Sequence, residues 1–163
     1  MKKICSMMMF LTLFFVGFAT EVEAKKEKTL NYEIACAGSG NQGYSLVKVR
    51  AFVDSKKDIG DDILKRCAVH GVLFRGYSGG QGCVSQPPLA GSATVEQQYS
   101  DFFQPFFQGG GGYEAYGSVV EGSLQTVKQG KHFVVIGIVN VAKSQLRKDL
   151  EKAGVVKKLS SGF

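Results

Sequence analysis

Residues 133–142, FVVIGIVNVA, form the most apolar run of the chain beyond its amino terminus. A run of this length suits a β-strand, because a membrane-spanning helix needs about 20 apolar residues. The run is apolar on both sides, with Val134, Ile136 and Ile138 on one side and Phe133, Val135, Val139 and Val141 on the other. Such a pattern is typical of a strand inside a sheet. We therefore expect residues 131–142 to form a central strand that is buried on both faces.

Further strands are predicted on the amino-terminal side of this segment. Residues 118–127 have strand character, and Gln129-Gly130 favours a hairpin that joins them to the central strand. Residues 30–37, 44–53 and 71–77 are predicted as three more strands.

Three amphipathic segments predict helices. The first begins at an Asp58 cap and runs to about residue 69, and the second begins at a Thr94-x-x-Gln97 capping box and runs to about residue 103. The third begins at Ser144 and ends before Gly154, which suits the left-handed end of a helix. The order β-β-α-β-α-β-β-α predicts an α+β (α/β-like) fold in which helices pack on a single mixed sheet.

The amino terminus has the pattern of a secretory signal peptide. Lys2 and Lys3 precede an apolar run over residues 7–19, and short side chains lead up to Ala24. The pattern predicts a signal peptide over residues 1–24 and a single exported domain over residues 25–163, periplasmic or secreted. An uncleaved signal anchor is the alternative. No later segment is predicted to span a membrane.

Positive charge is concentrated at the carboxyl end. The chain has a net charge of +6, and residues 128–163 contain eight basic and two acidic residues. This excess indicates either a patch that faces an anionic partner or a solvated helix face. The candidate binding residues are Arg147, Lys148, Lys152, Lys157 and Lys158. Nucleic acid is not an expected partner, because export and the lack of a nucleic-acid-binding motif argue against it.

Three cysteines follow the signal peptide, namely Cys36, Cys67 and Cys83. Export permits a disulfide, but the spacing does not indicate which two would pair. Cys67 falls on the apolar face of a predicted helix, where cysteine acts as a small hydrophobic residue. Cys83 lies in a loop, and with His70 or His132 as a base it is the candidate nucleophile of an enzyme.

Two other patterns resemble cofactor sites only superficially. Cys67-x-x-His70 is a single close pair, whereas structural zinc draws on two, so no metal is expected. Residues 38–43, GSGNQG, match the dinucleotide-binding pattern G-x-G-x-x-G, but a strand follows them instead of a helix. We interpret this segment as a hairpin loop and expect no cofactor.

Aromatic residues cluster between Tyr99 and Phe107. Tyr99, Phe103 and Phe106 share one helical face, which is typical of core packing. The alternative is an exposed ridge from Phe102 to Phe107 that docks on a partner or a membrane surface.

Three segments carry a resemblance to known proteins: Leu46-Val-Lys-Val-Arg-Ala, the run CAVHGVLF from Cys67 to Phe74, and the carboxyl end from Gln145 to Phe163. They resemble a group of small secreted proteins of Bacteroidetes-type bacteria that have no assigned activity. The amino-terminal part is also similar to periplasmic envelope-accessory α/β domains. Both resemblances imply a role in the cell envelope, and neither carries over a functional residue.

The leading hypothesis is a non-enzymatic exported envelope module that binds a protein or glycan partner through the basic carboxyl-terminal segment. One alternative is a Cys/His-dependent enzyme that uses Cys83. The other is a peripheral membrane binder that uses the ridge from Phe102 to Phe107.

Overall fold

The computed structural model describes residues 29–80 and 82–158. The predicted signal peptide over residues 1–24 lies outside the described residues, as do residues 159–163 of the carboxyl-terminal segment. The strands are β1 (Tyr32–Gly38), β2 (Ser45–Val53), β3 (Gly117–Val119), β4 (Gln125–Gln129) and β5 (His132–Val141). The helices are α1 (Asp61–Phe74), α2 (Thr94–Gln98), α3 (Ser100–Phe106) and α4 (Lys143–Lys152), and 3-10 turns occupy Lys56–Asp58 and Gly112–Tyr116.

The strands form one sheet in the order β1-β2-β5-β3, and β4 also pairs with β5. Every pairing among these strands is antiparallel. The predicted α+β fold with helices on a single sheet is confirmed, except that the sheet is antiparallel rather than mixed, and β5 is the central strand. The predicted hairpin is also confirmed, because Gln129 of β4 pairs with His132 of β5.

The hydrophobic core lies on one face of the sheet. Val47 of β2 pairs with Val139 of β5, and both belong to the core that α1 joins. Gly137 lets α1 approach closely, since a β-carbon there would lie 2.4 Å from Leu64 Cδ1. On the other face Lys48 is exposed and its partner Ile138 is only half-buried.

The expectation that β5 is buried on both faces is therefore correct for the face that meets α1 and the core. It is only partly correct for the opposite face. Val134 is buried on the second face, where it pairs with Phe52 of β2 and Val127 of β4. Neighbouring apolar side chains within the sheet shield it there.

The predicted strand over residues 71–77 is wrong. Residues 71–74 form the last turn of α1, and Val72 and Leu73 are fully buried. A short apolar run does not distinguish a strand from a buried helical turn, and here the helix continues through it. The start of the helix also differs, because Asp58 ends a 3-10 turn and α1 begins at Asp61.

The predicted strand over residues 118–127 is divided into β3 and β4. A turn separates them, in which Gly122 has a φ of +73° and the Ser123 N–H donates to Val120 O. The Ser123 hydroxyl accepts a hydrogen bond from the Ile138 N–H at 3.0 Å. A side-chain oxygen thus replaces the backbone partner that a continuous strand would have provided to β5.

The amino ends of the later helices also differ from expectation. Thr94 is the first residue of α2, and its own N–H donates to the Ser92 hydroxyl, so the predicted capping box is absent. A break at Tyr99, with φ −115° and ψ 38°, divides the expected helix into α2 and α3. Helix α4 begins at Lys143, and the N–H of Ser144 donates to Gly43 O at 3.0 Å. Among the described residues, none of the helices is both long and apolar enough to cross a membrane.

Candidate functional site

Cys83 forms a disulfide with Cys36, 47 residues earlier in the chain. The candidate nucleophile therefore has no free thiol in this structure. Cys67 is the free cysteine of the described residues, and it is fully buried. Burial raises the pKa of the Cys67 thiol to about 12, so it is not a thiolate at neutral pH.

His70 lies in a hydrogen-bonded chain between β1 and α2. Its Nδ1 is 2.5 Å from the Tyr32 hydroxyl, and its Nε2 is 2.9 Å from Glu96 Oε1. These distances fit one hydrogen bond from the tyrosine hydroxyl to Nδ1 and another from Nε2 to the carboxylate. The ring packs against Phe74 and Phe107 at centroid distances of 5.0 and 5.2 Å. Both nitrogens are occupied, so His70 holds three elements together and has no free nitrogen to act as a base.

Tyr32 is the buried end of this series of hydrogen bonds. Only 3% of its surface is exposed, and burial is the main reason that its pKa is raised. Arg75 lies 4.0 Å over its ring and donates to its carbonyl oxygen at 2.8 Å.

A His70→Phe variant is expected to lower the free energy of unfolding by about 1–3 kcal/mol, because ring packing survives but the buried tyrosine hydroxyl loses its acceptor. Urea unfolding followed by circular dichroism measures the loss. Removing the acceptor and the hydroxyl together, as His70→Phe with Tyr32→Phe, should restore part of it. If the double variant is less stable than His70→Phe alone, the hydrogen bonds of Tyr32, His70 and Glu96 are not the source of the stability that His70→Phe removes.

The structure does not bring His132 to the disulfide. Cys36 pairs with Val47 of β2, whereas His132 precedes Phe133, which pairs with Val53. Six residues along a strand span about 20 Å. His132 is exposed and hydrogen-bonds Asp54 at 2.6 Å. Within residues 29–80 and 82–158, no group of three or more His, Cys, Asp or Glu side chains is placed to hold a metal ion.

The aromatic cluster belongs largely to the core. Phe103 and Phe107 are buried, with 2% and 8% of their surfaces exposed, while Phe102 and Phe106 are half-buried against the core. Phe107 lies four residues after Phe103 and packs on the same side, so it is buried together with Phe103, while Phe106 is only half-buried. The predicted ridge is therefore a packed layer between α3 and α1.

The basic carboxyl-terminal segment divides into one structural residue and four exposed ones. Arg147 pairs with Glu151 at 2.7 Å and donates to the carbonyl oxygens of Leu89 and Lys157. The four exposed residues are Lys148, Lys152, Lys157 and Lys158. Sequence reasoning placed Arg147 with the lysines because composition does not reveal that its guanidinium points toward a neighbouring loop.

The segment that carries these lysines is firmly anchored. Leu146 and Leu150 are buried, and Gly154, with a φ of +74°, ends the helix as predicted. Val155 and Val156 then return to the core. The lysines on either side are therefore displayed from an ordered surface.

The acidic residues of the segment have partners of their own. Asp149 accepts hydrogen bonds from Gln145 and from the Tyr116 hydroxyl, and these bonds hold its pKa below the usual range. Burial and the bond to Asp149 raise the pKa of Tyr116 to about 12. Among the described residues, neither Asp149 nor Glu151 lies within ion-pair distance of the exposed lysines, although the charges of Lys148 and Lys152 also help to lower the pKa of Asp149.

A cleft of about 270 Å³ lies at one end of the sheet, between the β1–β2 loop (residues 38–44) and the loop over residues 77–86. The Cys36–Cys83 disulfide joins the end of β1 to the second loop, and the Ser39 hydroxyl of the first loop donates to Gly82 O at 3.2 Å. Ser45 of β2 and Lys143 of α4 also line the cleft. The GSGNQG segment is a hairpin loop as predicted, but the start of α4 lies against it, which the sequence did not indicate.

Sequence reasoning missed both Ser45 and Lys143. They are distant in sequence and meet only because Ser45 of β2 pairs with Val141 of β5, immediately before α4. One signal was present, since Ser45 occupies the same strand phase as Val47, Val49 and Ala51. A polar residue in an apolar phase is a reason to look for a site.

No protein-family model, curated protein or solved structure matches this chain, so its function is argued from its own residues.

Proposed function

We propose that this chain is a non-enzymatic exported module of the cell envelope that binds a protein or glycan partner of acidic character. The contact is made by the basic face, which we define as Lys148, Lys152, Lys157 and Lys158. The observation that carries the proposal is that these four lysines are exposed on an anchored segment whose two acidic residues are hydrogen-bonded to other side chains.

The spacing of the lysines suits an extended anionic partner. Lys148 and Lys152 are four residues apart on α4, which places them side by side on the helix surface. Lys157 and Lys158 directly follow the buried Val155 and Val156. An anionic chain is attracted to such a surface without a deep pocket.

The Cys36–Cys83 disulfide supports the exported location. Disulfides persist in oxidising compartments such as the periplasm and the extracellular space, and they are rare where thiols are kept reduced. The same bond removes the thiol on which the Cys83 enzyme depends. The burial of Phe103 and Phe107 disfavours the membrane-binding ridge.

Charge reversal tests the basic face. A variant with Glu at all four positions should bind immobilised polygalacturonate and polyglutamate at least a hundredfold more weakly at low salt, since one lysine at an anionic surface contributes about 1 kcal/mol. The matched control reverses four exposed lysines elsewhere, namely Lys48, Lys56, Lys128 and Lys131. The control has the same net charge and should retain most of the binding.

Two results would contradict the proposal. Equal losses in both quadruple variants would mean that net charge alone drives retention, and full retention by the first variant would remove the basic face from binding. Circular dichroism should show both variants folded, because all eight side chains are exposed.

A further inference from the structure

The cleft beside the disulfide has a fixed shape. The Cys36–Cys83 bond joins the loop over residues 77–86 to the end of β1, and Tyr77 and Gln86 exchange backbone hydrogen bonds at 2.9 Å within that loop. Its volume of about 270 Å³ is below the usual range of ligand pockets, which begins near 300 Å³. A ligand the size of a single sugar ring is the largest that the cleft accommodates.

Ser45 lines this cleft and carries an unpaired hydroxyl. Only 2% of the residue is exposed, and its Oγ is buried with no hydrogen-bond partner. Burying a hydroxyl without a partner costs free energy, so buried polar groups are normally satisfied. Rotation about the Ser45 Cα–Cβ bond would turn this hydroxyl toward the cleft, where a ligand hydroxyl would supply the missing partner.

The cleft is positive. Lys143 is half-buried, and its Nζ donates to Gln86 Oε1 at 3.0 Å, which leaves two N–H groups for a ligand. No Asp or Glu is among the residues that line the cleft. Lys143 also begins α4, where the helix dipole adds positive potential. A single cation of this kind matches a ligand with a single negative charge.

The remaining lining residues suit a hydroxylated ring. Tyr44 is 43% exposed at the cleft, and a tyrosine ring offers an apolar face together with a polar hydroxyl. Asn41 and Gln42 contribute amide groups that both donate and accept hydrogen bonds, whereas the Gln86 amide is already bonded to Lys143 and to Pro87 O.

We propose that this cleft binds one carboxylated sugar unit, a hexuronate, with its carboxylate on Lys143, a hydroxyl on Ser45 and its ring against Tyr44. The site shares no residue with the basic face, so it goes beyond the proposed function and is tested separately from it.

The first experiment is calorimetric titration of the full exported domain with D-glucuronate, D-glucose and acetate. Glucuronate should bind with a Kd near 1 mM, and glucose and acetate each at least tenfold more weakly. Equal binding of glucose would remove the role of the carboxylate, and equal binding of acetate would remove the role of the ring. Either result, or no binding of glucuronate, would overturn the proposal.

Two variants assign the binding to the cleft. Lys143→Met should weaken glucuronate binding about tenfold or more, whereas the exposed Lys128→Met control should not change it. Ser45→Ala should weaken binding severalfold without lowering the midpoint of urea unfolding, because it removes an unpaired hydroxyl. Unchanged glucuronate binding in both cleft variants would place the ligand elsewhere and overturn the proposal.

The quadruple Glu variant of the basic face separates this site from the proposed function. It should bind glucuronate as the unmodified chain does, even when it no longer binds polygalacturonate. Loss of glucuronate binding in that variant, with the cleft intact, would overturn the assignment to Lys143 and Ser45.

Discussion

Replacing Gly76 with alanine should lower the free energy of unfolding by about 3 kcal/mol or more. Gly76 ends α1 with a φ of +65°, a left-handed conformation that costs other residues about 1–2 kcal/mol. A β-carbon there would also lie 2.3 Å from Gln86 O and 2.9 Å from Pro88 N. These are backbone atoms, so the loop itself must move away.

Movement of the loop would break a set of hydrogen bonds at the end of α1. Tyr77 and Gln86 bond to each other, and the N–H groups of Leu89 and Ala90 donate to the last carbonyl oxygens of the helix. Each such bond contributes about 1 kcal/mol, and a buried group left unpaired costs more.

Gly122→Ala is the matched control for this prediction. Its φ of +73° is similar, but a β-carbon there would meet nothing within 4 Å. Urea unfolding followed by circular dichroism should therefore show a loss of only about 1–2 kcal/mol for the control. Equal losses in the two variants would mean that the contact with residues 86–88 contributes nothing.

The sequence predicted the elements whose local pattern is decisive. The apolar run at β5, the Gln129-Gly130 turn and the Gly154 helix end are each specified by residues close in sequence, and all three are confirmed. The run GVLF at residues 71–74 was misassigned because its burial comes from the sheet below and the loop above. Neither the sheet nor the loop can be inferred from the residues that are adjacent to this run in the sequence.

The candidate sites follow the same rule. The lysines of the basic face lie close enough together in the sequence to be found from charge alone, and the structure leaves all four exposed. The cleft depends on strand register and on the Cys36–Cys83 bond, which three cysteines do not specify. Arg147 was found from charge as well, but its structural role was not, because that role depends on the position of Leu89, whose carbonyl oxygen it contacts.

Removing the Cys36–Cys83 disulfide should lower the free energy of unfolding more than the replacement of Gly76 does. A variant with serine at Cys36 and Cys83 should lose about 4 kcal/mol, because the bond closes a loop with a sequence separation of 47 residues and restricts the unfolded chain. Stability measured with and without reductant should differ by a similar amount in the unmodified chain. In the double variant the reductant should have no effect.

Cys67→Ala is the control for thiol chemistry. Cys67 is buried and free, so its replacement should leave the dependence on reductant intact. In reduced protein that is still folded, the loop over residues 77–86 keeps the hydrogen bond from Ser39 to Gly82 but loses its covalent link to β1. Glucuronate binding should therefore weaken on reduction, whereas polygalacturonate binding by the basic face should not change. Stability that does not respond to reductant would show that Cys36 and Cys83 are not paired in the folded protein, and the rigid cleft would lose its basis.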